Sequence, residues 1–109
     1  MIIKPKLWGH EEWIANTDKY CGKRLILKKG YQCSLHYHKK KDETFYIDEG
    51  KVRMEINGKT LTMMEGDLCR VKPMQEHRFS GLENSIIYEF STHHDERDSY
   101  RIENSCEMK

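Results

Sequence analysis

Two histidines and a glutamate lie close together in the stretch between Gly30 and Gly50. If a β-strand forms here, side chains alternate between its faces, so His36 and His38 point to the same side. Glu43 follows a short charged turn and begins a second apolar run, which a hairpin could fold back beside the first. Imidazole and carboxylate ligands together suit a first-row divalent metal. The spacing therefore predicts a metal site to which these three side chains contribute.

A fourth ligand is expected from a distant segment of the chain. His77 follows Gly66, Asp67 and Pro73, an arrangement of turn, strand and turn that would bring this segment back over the same site. An incomplete protein shell leaves positions for water or substrate, as in catalytic metal sites. We expect one divalent transition metal, with zinc, manganese, iron, nickel and cobalt as equal candidates.

The composition of the 109 residues limits the possible partners. Lys and Arg total 19 and Asp and Glu total 18, so the net charge is +1 and no global field favours nucleic acid or an anionic membrane. The N-terminal apolar run is too short for a signal peptide, and no segment approaches membrane-spanning length. We therefore expect a cytoplasmic protein. The four cysteines lack C-x2-C pairing and are expected to be free thiols.

Turn residues are frequent along the chain, and helical periodicity is scarce. Short apolar or alternating runs predict about nine strands, a spacing typical of a sandwich or barrel. We expect one all-β domain spanning 1–109, with a barrel core at about 24–91, an N-terminal strand segment at 1–23 and a polar, partly mobile tail at 92–109. Asn57-Gly58 is a type I′ hairpin signal. The side chains expected to face inward on this hairpin are Val52, Met54, Ile56, Leu61 and Met63.

The metal-site residues resemble the sequence motifs of the cupins. The first motif, G-x5-H-x-H-x4-E-x6-G, is filled at every position by Gly30, His36, His38, Glu43 and Gly50. This resemblance implies a small antiparallel jelly-roll barrel, or double-stranded β-helix, in which His36, His38, Glu43 and His77 bind the metal.

The second cupin motif, G-x5-P-x-G-x2-H-x3-N, is met only in part. Gly66, Pro73 and His77 fit it, with one extra residue between Gly66 and Pro73. Gln75 is assigned to the position where glycine is usual, and Gly81 replaces the asparagine.

The two ends of the chain resemble a narrower group of cupins. Residues 4–13 are similar to the K-P-W-G-x-E-x-W opening of type II mannose-6-phosphate isomerase-like cupins, and residues 89–101 are similar to that group's tail. This chain differs from that group at Lys41, where the isomerase motif has an arginine, and at His36, where many members have a glutamine. These differences favour small D-lyxose isomerase-like cupins. This resemblance implies aldose–ketose isomerisation of a sugar or sugar phosphate through a cis-enediol, with a small-molecule substrate as the partner.

Isomerisation needs a base outside the metal shell, and Glu89 is the first candidate. It would face the barrel interior if Ile87 and Ser91 do, whereas the opposite orientation, with Tyr88 and Phe90 inward, would leave Glu89 in solvent. Both orientations are compatible with the sequence.

Two further residues are candidates for catalytic roles. His94 could serve as the base in place of Glu89, as could its neighbour His93. Lys41 lies where the isomerase motif has an arginine, although Lys39, Lys40 and Lys41 read most simply as a solvated hairpin tip.

Two other functions are compatible with the same residues. Three histidines and a glutamate would also hold Fe(II) in an oxygenase. A barrel of this size could instead bind a carbohydrate through the metal without catalysis. We also expect a homodimer, because pairing through edge strands relieves the exposure of a barrel edge.

Overall fold

The structure, a computed structural model, describes residues 1–109 and is built almost entirely from β-strands. Its single helical element is a short 3₁₀ helix, Glu96–Asp98. The strands, in chain order, are β1 Ile2–Lys6, β2 Gly9–Asn16, β3 Cys21–Leu27, β4 Tyr31–Gln32, β5 Leu35–Tyr37, β6 Glu43–Glu49, β7 Lys51–Ile56, β8 Lys59–Met64, β9 Leu68–Val71, β10 His77–Gly81, β11 Ser85–Ser91, β12 Tyr100–Glu103 and β13 Cys106–Glu107. The all-β prediction is confirmed, with more strands than the number expected.

The strands form two antiparallel sheets that enclose one core, as the jelly-roll prediction requires. The first sheet has the order β1-β2-β3-β11-β6-β9. In the second sheet β7 pairs with β8 and β10, and the other side of β10 pairs with the short strands β4 and β5. Strands β13 and β12 then continue this sheet beyond β4 and β5.

Inward-facing side chains change character along the barrel. Apolar residues such as Phe45, Ile47 and Ile87 form a core cluster of 12 buried residues, whose removal from water is the main stabilising term of the fold. On β11 the alternation that buries Ile87 also buries Glu89, so the inward orientation of Glu89 is the observed one. Phe90 points outward and is 58% exposed. The barrel therefore has an apolar part and a part lined by buried charges.

The hairpin of β7 and β8 forms as the sequence predicts, with one exception. Asn57 and Gly58 both have positive φ angles, 48° and 79°, as a type I′ turn requires. Val52, Met54 and Met63 are buried and Ile56 is half-buried. The inward prediction is wrong for Leu61, which pairs with Met54 but is 41% exposed. Leu61 lies two residues nearer the Asn57–Gly58 turn than Met63, which is 1% exposed on the same strand, so the core covers only the part of β8 away from the turn.

The polar tail is part of the second sheet and does not extend freely from the barrel. Strand β12 pairs with β5, and β13 pairs with β4. Arg78, which is buried, fastens the connection between them by donating hydrogen bonds to the Cys33 carbonyl, to Glu103 and to the Asn104 carbonyl. Two segments of the polar tail therefore belong to the second sheet.

The turn before β10 corrects the assignment of the second motif. Met74 has a φ of 73°, the left-handed conformation that glycine adopts most readily. Counting back from His77 places the motif's glycine at Met74 and its proline at Lys72, so the assignment to Gln75 was wrong. The Met74 N–H donates to the carbonyl of His38 at 2.6 Å, which ties this turn to the segment that carries His36 and His38.

Two features of composition can be compared directly with the structure. The four cysteines are free thiols, as expected. No helix of the structure has the length and apolar character needed to cross a membrane.

Candidate metal centre and its cavity

Three histidines meet on the inner side of the second sheet. His36 on β5 is directly opposite His77 on β10, and His38 follows β5 immediately. One nitrogen atom from each ring lies within 4.8 Å of the others. Strand pairing therefore brings together residues that are 41 positions apart in the sequence.

Backbone carbonyl groups fix the orientation of all three imidazole rings. The Nδ1 atoms of His36, His38 and His77 lie 2.9, 2.8 and 2.9 Å from the carbonyl oxygens of Ser34, Asp98 and Gln75. A carbonyl oxygen can only accept, so each Nδ1 carries the proton. Each Nε2 then presents its lone pair to the centre of the cluster, which is the arrangement of metal-ligating histidines.

Burial keeps two of these rings neutral. It lowers the pKa of His36 to about 3, with a further contribution from the neighbouring His77 and His38 rings. Burial likewise lowers the pKa of His38. Neutral imidazole is the form that binds a metal.

Glu43 adds a carboxylate to the cluster from the other sheet. Its Oε2 atom lies 3.0 Å from Nε2 of His77 and 3.6 Å from Nε2 of His38. Burial raises the pKa of Glu43, but His77 and Lys41 outweigh this effect and hold that pKa well below its usual range. Burial lowers the pKa of His77, but the neighbouring Glu43 carboxylate outweighs this effect and raises that pKa above its ordinary value.

Two atoms of this cluster are buried without a hydrogen bond of acceptable geometry. They are Oε2 of Glu43 and Nε2 of His77. Buried polar atoms are almost always satisfied, so the pair indicates a missing partner. A divalent cation bound by both atoms, together with the Nε2 atoms of His36 and His38, would satisfy them. The residues therefore fit a first-row transition metal.

Lys41 lies beside this cluster and is only 3% exposed. Its Nζ atom lies 2.7 Å from Oε2 of Glu89 and 3.3 Å from Oε1 of Glu43. Burial lowers the pKa of Lys41, but these two carboxylates more than offset this and raise the pKa above its ordinary value. The solvated-tip prediction is correct for Lys39 and Lys40, which are exposed, and wrong for Lys41.

The turn that buries Lys41 is organised by Asp98 from the tail. The carboxylate of Asp98 accepts hydrogen bonds from the backbone N–H groups of Lys39, Lys40 and Lys41, at 2.9, 3.1 and 3.1 Å. These bonds curl the chain so that the third lysine side chain points inward. The Asp98 carbonyl also holds His38, so one tail residue positions both groups.

The two histidines proposed as alternative bases lie in different surroundings. Nδ1 of His94 lies 2.8 Å from Nζ of Lys41, and burial, assisted by Lys41, lowers the pKa of His94 to about 2. Since a charged ammonium can only donate, it occupies the accepting nitrogen of this ring. His93 is exposed and donates to the Thr17 carbonyl. Neither ring has the free, inward-facing acceptor of a general base.

A cavity of about 470 Å³ connects these groups. Volumes of this order are typical of small-molecule sites. Its lining includes His36, Glu43 and Glu89, and also Glu11 and Lys23 from the first sheet. The sequence reasoning missed Lys23, although its place between Cys21 and Leu25 in an alternating run indicates an inward side chain.

Comparison with known proteins agrees with this geometry. Residues 23–87 match the cupin domain family. The chain belongs to the cupin family. Among curated proteins, it is 29% identical over 110 residues to a D-lyxose/D-mannose isomerase of Thermosediminibacter oceani. That match covers 75% of this chain and 61% of the relative, so this cupin spans about three fifths of the length of the isomerase.

Solved structures share the fold at lower identity. An RmlC-like cupin from Shewanella frigidimarina superposes with a TM-score of 0.80 at 18% identity, covering 88% of this chain and 86% of the other. Oxalate decarboxylase from Bacillus subtilis gives a TM-score of 0.78 at 19% identity, covering 93% of this chain and 30% of the enzyme. These similarities establish the barrel, which supports several chemistries.

Proposed function

We propose that this cupin is a metal-dependent aldose–ketose isomerase that acts on a sugar or sugar phosphate. The observation that carries the proposal is the position of Glu89. Its carboxylate is buried, lies outside the set of candidate ligands, and faces the same cavity in contact with Lys41. Isomerisation requires such a base, and the isomerase relative supports the same chemistry.

The candidate ligands are His36, His38, Glu43 and His77. A divalent metal held there would polarise the substrate's carbonyl and hydroxyl oxygens and stabilise the negative charge that develops on them. Glu89 would remove the proton from carbon 2 of the aldose and return it to carbon 1 of the cis-enediol, while a second proton passes from the carbon-2 hydroxyl to the carbon-1 oxygen. The Oε2 atom beside Lys41 is fixed, which leaves the other oxygen free to reach both carbons.

Lys41 and His94 would support this proton transfer. Lys41 remains protonated between Glu89 and Glu43, so it orients the base and stabilises nearby negative charge. His94 accepts from Lys41 and packs edge-to-face on Trp13 at a centroid distance of 5.1 Å. It is therefore a positioning residue for the ammonium group in this proposal.

Proton exchange at carbon 2 tests the proposal most directly. Aldoses and ketoses are incubated in D₂O with protein loaded with each candidate metal, and NMR follows the carbon-2 proton of the aldoses and the carbon-1 protons of the ketoses. We expect exchange for at least one sugar. If a sugar binds in a metal-dependent way and no sugar exchanges, the protein is a binding module. Metal-dependent oxygen consumption without exchange would indicate an oxygenase.

We also propose that the protein forms a homodimer. The open outer edge of β8 and the exposure of Leu61 along it support this assembly.

A further inference from the structure

A second polar group lies in the cavity, away from the histidine cluster. Lys23 on β3 is 2% exposed, yet its ammonium makes a single long contact with a carboxylate, 3.5 Å to Oε1 of Glu11. Its other close neighbour is the ring of Trp13, with a distance of 4.4 Å from Nζ to the centroid. An ammonium has three donors, and buried donors are normally satisfied. Lys23 is therefore a buried cation with unused hydrogen-bonding capacity at the cavity wall.

Glu11 supplies unused acceptor capacity beside that cation. Its Oε1 atom accepts from the indole N–H of Trp13 at 2.9 Å and from Lys23, whereas its Oε2 atom makes no hydrogen bond to the protein. The indole contact fixes the carboxylate. Trp13 itself is held between the ammonium groups of Lys4 and Lys23. The donor and the acceptor are thus prepositioned side by side.

The strand register places this pair across the cavity from the candidate histidine ligands, in the sheet that also carries Glu43. Lys23 is directly opposite Glu89 on β11 and Trp13 on β2, all within the first sheet. His36 and His77 belong to the second sheet. Glu89 forms its ion pair with Lys41, and Glu11 is therefore the carboxylate that contacts Lys23. A ligand that extends from the histidines past Glu89 reaches Lys23 and Glu11.

The pair of charges selects the chemistry of the ligand's distal end. A hydroxyl group both accepts and donates, so a hydroxyl, or two neighbouring ones, can bind Lys23 and Glu11 together. A phosphate group can only accept once ionised, and Glu11 would repel it. We propose that Lys23 and Glu11 form a subsite for the distal hydroxyl groups of an uncharged polyhydroxylated substrate. The inference rests on the proposed sugar isomerase function and narrows its substrate to an unphosphorylated sugar.

Binding of three probes to metal-loaded protein tests the subsite. The probes are D-mannose, the sugar alcohol mannitol, and mannose 6-phosphate, with dissociation constants measured by calorimetry. Mannitol has no carbonyl and cannot be isomerised, so its binding reports on the subsite even if the protein catalyses no isomerisation. We expect wild-type protein to bind both uncharged probes more tightly than mannose 6-phosphate.

Two variants then test whether Lys23 and Glu11 are responsible for the binding of the uncharged probes. Lys23→Met keeps the aliphatic stem and removes the donors, and should weaken binding of both uncharged probes by about tenfold or more. Glu11→Gln should reduce the preference for mannose over mannose 6-phosphate, because it removes the repulsive charge. Lys29→Met, an exposed substitution in the turn between β3 and β4 and outside the cavity, serves as the matched control and should bind as wild type does. Thermal unfolding checks that each variant is folded.

Several results would overturn the inference. One is unchanged binding of mannose and mannitol by a folded Lys23→Met variant. A second is tighter binding of mannose 6-phosphate than of mannose by wild-type protein. A third is a Glu11→Gln variant whose preference for mannose over mannose 6-phosphate equals that of wild type. Failure of all three probes to bind wild-type protein would also overturn it. Proton exchange at carbon 2 is measured separately. If no sugar exchanges, the isomerase proposal fails, but the binding of mannitol still tests the subsite.

Discussion

The chemistry of the site depends on individual atoms whose partners are already fixed. Each candidate histidine uses Nδ1 to hold a backbone carbonyl, and only Nε2 is left for a metal. Replacing His38 by Ala should therefore abolish stoichiometric metal binding, since no spare donor can take its place. His10→Ala should retain the metal, because His10 contacts Glu12 and does not belong to the cluster. Elemental analysis of the purified proteins measures both.

The wild-type protein provides the decisive comparison for this prediction. It is purified without chelators and offered zinc, manganese, nickel and iron in turn. If it retains none of them, the assignment of ligands is wrong.

Glu89 is the residue whose replacement separates catalysis from binding. Glu89→Gln keeps the size of the side chain and removes its basicity. Metal content and sugar binding should be preserved, while turnover falls by roughly a hundredfold or more, because one general base contributes ~10²–10⁴. The rate of carbon-2 proton exchange measures the effect. Glu65→Gln, which changes an exposed carboxylate outside the cavity, is the matched control and should exchange as wild type does. A near wild-type rate in Glu89→Gln would remove this residue from the mechanism.

At the residue scale, the spacing of the candidate ligands along the chain predicts the site better than the overall amino-acid composition does. The placement of His36 and His38 on the same side of the chain follows from alternation, and the structure brings both close to His77. The inward position of Lys41 does not follow from local sequence, because it depends on Asp98 from a segment 57 residues away. Local patterns carry no information about such long-range hydrogen bonds.

The tail acts as an element that holds the ligand strand in place. Asp98 accepts three backbone N–H groups and its carbonyl orients His38. Asp98→Ala should lower the free energy of unfolding by about 1–2 kcal/mol and weaken metal binding by roughly tenfold or more, as expected when a group that orients a ligand is displaced. Denaturant unfolding and metal titration measure the two effects.

The matched control for the tail is Glu107→Ala. Glu107 is an exposed carboxylate on β13, which pairs with β4 and does not contact Asp98 or His38. Its replacement should leave metal affinity unchanged. Equal metal affinity in the Asp98→Ala variant and wild type would show that the tail does not position His38.

The turn before β10 offers a test of the corrected motif register. Met74 is exposed and adopts the left-handed conformation, which costs a residue with a Cβ atom about 1 kcal/mol. Met74→Gly should therefore raise the stability by about 0.5–1 kcal/mol, and Gln75→Gly should not. Thermal unfolding compares the two. A stabilising Gln75→Gly together with a neutral Met74→Gly would favour the original assignment.

At the element scale, the sequence predicts strands well and their neighbours poorly. The β7–β8 hairpin has the expected turn and register, yet Leu61 is not buried. Alternation specifies which face a side chain occupies, and burial also depends on what packs over that face. On β8, Met63 is 1% exposed and Leu61 is 41% exposed, and the hairpin sequence does not contain the tertiary packing that distinguishes them.

At the scale of the whole molecule, the open sheet edges indicate how copies could assemble. The β1 edge of the first sheet contains Pro5, which lacks a donor for strand pairing. The β8 edge of the second sheet has no proline, and it leaves Leu61 exposed on the same face as the buried Met54. Pairing of two β8 strands about a two-fold axis would satisfy the free backbone groups and cover Leu61.

Light scattering at micromolar concentration tests this assembly. Wild-type protein should have twice the chain mass of 13.1 kDa. Leu61→Lys should give the monomer mass, because a dimer through β8 would place two charges at a buried position. Ile3→Lys, an exposed apolar residue on the β1 edge, should remain dimeric. A dimer that survives Leu61→Lys and dissociates with Ile3→Lys would move the interface to the β1 edge, whereas a monomeric wild-type protein would contradict the homodimer itself.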